Sequence, residues 1–106
     1  MNVYISGQIT GQEPKDYKGR FERAAEIVRD TGNNAINPAE WEAGHTWEEY
    51  MDKARSIIES GVIDMIYMLE GWSKSRGASR ERFWAMAKGI PVLYQNAEDE
   101  KKFKEM

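Results

Sequence analysis

The stretch Gly71-Trp72-Ser73-Lys74-Ser75-Arg76-Gly77-Ala78-Ser79-Arg80-Glu81-Arg82-Phe83-Trp84-Ala85-Met86-Ala87-Lys88-Gly89 lies between two apolar runs, Ile63-Asp64-Met65-Ile66-Tyr67-Met68-Leu69 and Ile90-Pro91-Val92-Leu93-Tyr94. Short apolar runs on either side of a Gly/Ser-rich loop and a helix-length segment predict a loop and helix joining two buried strands. Glycine and serine let backbone N–H groups approach an anion and point at it from a helix N-terminus. Glu81 falls in the first turns of that helix, on the side of Ala78 and Ala85, where small neighbours leave room. One acid beside an anion-binding loop points to chemistry on a sugar phosphate. The plain alternative for Glu81 is a surface ion pair with a neighbouring arginine.

Working outward, strand-like and helical segments alternate as βαβαβαβα, the pattern of parallel βαβ units. Val3 to Ser6 is a short buried strand, and the loop from Gly7 to Gln12 carries two glycines. Tyr17 to Asp30 sets Phe21, Ala24, Ala25 and Val28 on one helical face, with Gly32 closing the helix. Ala35-Ile36-Asn37 is a second strand, stopped by Pro38. Thr46 with Glu49 three residues later forms a capping box, and the helix after it turns Trp47, Tyr50, Met51, Ala54, Ile57 and Ile58 inward until Gly61. Glu98 to Met106 reads as a short charged helix anchored by Phe103. The fold class is α/β: a flavodoxin/Rossmann-like open parallel sheet of about four strands flanked by helices, in one domain over residues 1–106. In such sheets ligands bind beyond the carboxyl ends of the strands. Gly7 to Gly11 and Trp72 to Glu81 are therefore expected to meet over one crevice.

Composition narrows the function. A net charge of −3 with mixed signs gives no footprint for polymeric nucleic acid and no polybasic membrane patch. The chain has no cysteine and a single histidine, His45, so thiolate and histidine metal sites are excluded and no cofactor is called for. No segment has the length or apolarity of a membrane span, and a cytoplasmic protein is expected. A chain of 106 residues buries a modest core, which favours homo-oligomers, dimeric or larger, and its four Trp and five Tyr supply surface for a pocket or a subunit contact.

Tyr4-Ile5-Ser6-Gly7-Gln8-Ile9-Thr10-Gly11, then Asn37-Pro38, then Gly71-Trp72, Ser75, Gly77 and Glu81 resemble, in order and spacing over residues 2 to 94, the nucleoside 2-deoxyribosyltransferase-like superfamily. That superfamily includes the deoxyribonucleoside 5′-monophosphate N-glycosidases and a compact subgroup in bacteria and phages. The resemblance implies a flavodoxin-like sheet and retaining attack at the anomeric carbon of a small deoxyribonucleoside or its monophosphate. It implies Glu81 as nucleophile with Tyr4 beside it. Gly7, Ile9, Thr10 and Gly11, with Ser75 and Gly77, would surround the sugar and phosphate, and Trp72 is either a stacking platform for the base or a packing residue. An oxocarbenium-like transition state needs a carboxylate at its reacting face, and the leaving base needs a proton. The family's general-acid aspartate is replaced here by Ser56. Asp52, one turn earlier and displaced by about 5 Å, is the candidate substitute. The family's first-loop arginine is replaced by Thr10, and Arg76 or Arg80 is a candidate replacement for its charge. A non-catalytic nucleotide-binding or sequestering protein is the alternative expectation, and a structural or interaction protein on a retained fold is a third.

Overall fold

The structure is a computed structural model that describes residues 1–9, 12–41 and 46–103. Thr10, Gly11 and His45 lie outside the described residues, as does the side chain of Phe103. Four strands, β1 (Asn2–Ser6), β2 (Asn34–Ile36), β3 (Met65–Met68) and β4 (Val92–Tyr94), alternate with helices α1 (Pro14–Asp30), α2 (Trp47–Glu59), α3 (Arg76–Ala87) and α4 (Ala97–Phe103). All strand pairs are parallel in the order β2-β1-β3-β4, a flavodoxin/Rossmann-like α/β sheet. The order reverses between β1 and β3, and open α/β sheets form their crevice at the carboxyl ends of the strands flanking such a reversal.

Alternation along β1 decides which residues each layer receives. Val3 and Ile5 turn to α1, where Phe21, Ala24, Ala25 and Val28 meet them, with Tyr67 and Leu69 from β3 and its end. Tyr4 turns to the opposite face, against Ala54 and Ile58 of α2 and Ala78 and Ala85 of α3. The two layers bury apolar side chains on both faces of the sheet, as parallel strands require.

Helix ends follow local chemistry. The α1 helix begins at Pro14, earlier than the apolar spacing suggests, because proline at the first position sacrifices only an N–H that has no intrahelical partner. Thr46 and Glu49 close a reciprocal capping box, the Thr46 hydroxyl accepting from the Glu49 N–H at 3.1 Å and the Glu49 carboxylate from the Thr46 N–H at 3.1 Å. The second strand ends one residue early, at Ile36, because the Asn37 carboxamide accepts from the Ala39 N–H and starts a 3-10 turn over Pro38–Glu40. Gly32 and Gly61, after α1 and α2, take φ of 84° and 90°, the left-handed geometry that ends helices. Among the described residues no helix is long and apolar enough to cross a membrane.

Candidate functional site

The Ser75 hydroxyl caps α3 by accepting from the Ala78 N–H at 3.1 Å, and this sets the phase of the helix. Ala78, Glu81 and Ala85 then fall on one stripe that faces the sheet, and all three are buried. Two alanines flanking a glutamate leave a gap into which the carboxylate lies, only 1% exposed. On β1, Tyr4 and Ser6 share the face toward α3 because they are two residues apart. Ser6 Oγ donates to Glu81 Oε1 at 2.8 Å, and the Tyr4 hydroxyl donates to Glu81 Oε2. Tyr50 of α2 joins through a hydrogen bond with Tyr4. Trp41 packs edge-on to Tyr4 and at 5.1 Å between ring centres from Tyr50, so the hydroxyl cluster has aromatic walls.

Water is thereby excluded from a carboxylate that has no cationic partner among the described residues. Burial pushes the Glu81 carboxyl up from 4.5 to about 7, and the hydrogen bonds from Tyr4 and Ser6 pull it part of the way back by favouring the ionised form. Tyr4 and Tyr50 are both raised, first by burial and next by the Glu81 charge. Both phenols are protonated at neutral pH and act as donors. Glu81 is a carboxylate poised near neutrality and held at both oxygens, fit for a nucleophile or a base.

Gly7 and Ile9 after β1 and Ser75, Gly77 and Ala78 on the other side line one cleft with Glu81. The two glycine-bearing loops thus converge over the carboxylate. Both glycines serve close approach. A Cβ on Gly7 would stand 3.1 Å from Phe21 Cζ and 3.2 Å from Leu69, and one on Gly77 would stand 3.2 Å from Met51 Sδ and 3.6 Å from Trp47 Nε1. Met51, Trp47 and Tyr50 of α2 form the remaining wall. The free volume is about 10 Å³, room for roughly one water.

Outside this floor, the Arg76 guanidinium lies 3.9 Å from the centre of the Trp47 ring and that of Arg80 5.2 Å. Basic residues at the start of a helix oppose its dipole, and α3 has no acid in its first turn to offset them. The N-terminal end of α3 is therefore strongly electropositive.

Two of the expected site residues lie elsewhere. Trp72 is buried in the α2/α3 layer, against Tyr94 and under the Arg82 guanidinium, and does not line the cleft; it packs. Asp52 and Ser56 are both exposed, because the buried stripe of α2 runs through Met51, Ala54 and Ile58 and leaves them on the solvent side. No second carboxylate lines the cleft among the described residues. Sequence reading missed Ser6 as a site residue, although its place two residues after Tyr4 on one strand face was the available signal. Trp47, Tyr50 and Met51 read from the sequence as inward-facing residues of α2 and not as site residues, and all three line the cleft.

Comparison with curated proteins and with solved structures finds no match. A protein-family model does match, over residues 1–94, which include both converging loops, Glu81 and all four strands. The chain belongs to the family described as Domain of unknown function (DUF4406).

Proposed function

We propose that this protein cleaves the N-glycosidic bond of a small deoxyribonucleoside or its 5′-monophosphate, or transfers the deoxyribosyl group, with Glu81 as nucleophile. The observation that carries this is the buried Glu81 carboxylate, held by Tyr4 and Ser6 at the floor of the cleft that both glycine loops line. In the reaction a Glu81 oxygen attacks C1′ from the face opposite the base. The N-glycosidic bond breaks, its electron pair leaves with the base, and a deoxyribosyl ester of Glu81 forms. Water or a second base then displaces the glutamate with overall retention. Tyr4 and Ser6 fix the carboxylate and, by donating to it, temper its basicity. The electropositive start of α3, with Arg76 and Arg80 against Trp47, suits a 5′-phosphate. Met51 and Trp47 pack against Gly77 and narrow the cleft over Glu81, so a ligand that reaches the carboxylate has to displace part of this lining. Exposed Phe83 and Met86 on the outer side of α3 favour assembly with a second copy.

The lack of a second carboxylate in the cleft favours one further reading, a binder that holds a nucleotide without cleaving it. Incubation with a panel of deoxynucleoside monophosphates, with free base followed by chromatography, separates the two. Base release that Glu81→Gln abolishes supports the enzyme. Stoichiometric binding by calorimetry with the nucleotide recovered intact supports the binder. Neither release nor binding across the panel refutes both.

A further inference from the structure

A much larger cavity, of about 370 Å³, opens on the α1 side of the sheet and is lined by Arg20, Arg23, Leu69, Glu70, Gly71 and Gln95. Gly7, packed against Phe21 and Leu69, separates it from the Glu81 cleft, which belongs to the α2/α3 layer. Its volume is in the range of small-molecule sites, and it lies at the carboxyl end of β3, where ligands of open α/β sheets bind.

The lining has a polarity. On one wall, Arg20 is oriented by neutral acceptors only: Nε donates to the Asp16 carbonyl at 3.0 Å and Nη2 to the Gln12 carboxamide oxygen. Arg23 folds back along α1 over Gly19, where a Cβ would stand 3.4 Å from Nη1. Neither guanidinium forms an ion pair among the described residues. Two like charges three residues apart on a helix repel, and a glycine inside a helix weakens it. Both costs fall at the positions that bring these arginines to the cavity. On the other wall, the Gln95 carboxamide oxygen accepts from the Glu70 N–H at 2.8 Å, and the Glu70 carboxylate receives only a long contact of 3.4 Å from Asn96. Glu70 keeps acceptor capacity for a ligand.

We propose that this cavity is a second ligand site, for a small organic anion whose phosphate or carboxylate meets Arg20 and Arg23 while an N–H group at its other end meets Glu70. Paired guanidiniums suit the planar, multidentate recognition of either anion. The site does not depend on Glu81 or on the reaction proposed for it.

Calorimetric titration of the full chain at physiological ionic strength tests this, with adenosine 5′-monophosphate, glutamate and inorganic phosphate as probes. The expected result is saturable binding of the first or the second, the better one identifying the anion, and weaker binding of bare phosphate. Affinity should fall at least tenfold in the double variant Arg20→Gln/Arg23→Gln and change less than threefold in Glu81→Gln. Arg23→Gln alone, which breaks no hydrogen bond, should weaken binding several-fold and serves if the double variant does not fold. No heat with any probe overturns the proposal, as does binding that survives loss of both arginines or that disappears with Glu81→Gln.

Discussion

Replacing Glu81 with glutamine tests whether burial controls the ionisation on which the site depends. The native carboxyl titrates at about 7 against an ordinary 4.5. Between those values the folded chain holds a proton that the unfolded chain has released, so stability falls as pH rises through this window. The penalty is absent below about pH 4.5 and complete above about pH 7. At about 1.36 kcal/mol per pH unit, the displacement from 4.5 to about 7 amounts to about 3 kcal/mol. Glutamine has nearly the same shape and no charge, so the variant escapes the penalty. Its amide meets the Tyr4 and Ser6 hydroxyls imperfectly, but that cost does not depend on pH. Urea unfolding of both proteins from pH 4.5 to 8.5 should therefore show the stability difference, variant minus wild type, rising by about 3 kcal/mol across the range. Other titrating groups cancel in the difference. A difference constant to within about 0.5 kcal/mol would mean that Glu81 ionises as it does in water, and the argument from desolvation would be wrong.

Two further substitutions probe the frame around the site. Gly7→Ala forces a methyl group to within 3.1–3.2 Å of Phe21 and Leu69 and should cost about 1–3 kcal/mol, measured as a lower urea midpoint; an unchanged midpoint would show that this loop yields freely. Thr46→Ala removes the hydroxyl half of the α2 capping box and should cost about 1 kcal/mol, read in the same assay, with the larger loss of amide protection in the first turn of α2 by hydrogen exchange.

Much of the fold was legible because each element announces itself locally. The apolar runs Ile63–Leu69 and Ile90–Tyr94 contain β3 and β4, Val3–Ser6 covers all of β1 but its first residue, and Thr46 with Glu49 marks the start of α2. The spacing of Ala78, Glu81 and Ala85 by itself sets the acid on one side of α3 with the two small residues, and that side is the buried one. Asp52 was misplaced for a related reason. Matching Ser56 to the family aspartate and stepping back one turn fixes a position along the chain, whereas the buried side of α2 is decided by Met51, Ala54 and Ile58, and Asp52 and Ser56 fall off that stripe together. Trp72 was ambiguous because an indole beside a glycine loop serves a ligand or a core equally well on paper, and its neighbours Tyr94 and Arg82 come from other elements.

What the amino-acid sequence determined by itself is the alternation of strands and helices, the caps that set their phase, and the side of its own helix on which Glu81 stands. Only the tertiary structure decided that Tyr4 and Ser6, separated from Glu81 by 77 and 75 residues, would supply the donors to its two oxygens. It also decided that Met51 would close against Gly77 and that Arg20 and Arg23 would border a separate hollow. Periodicity assigns each residue a face of its own element. The residue opposite depends on strand register and on how the helix layers pack across the sheet, which are properties of the whole chain.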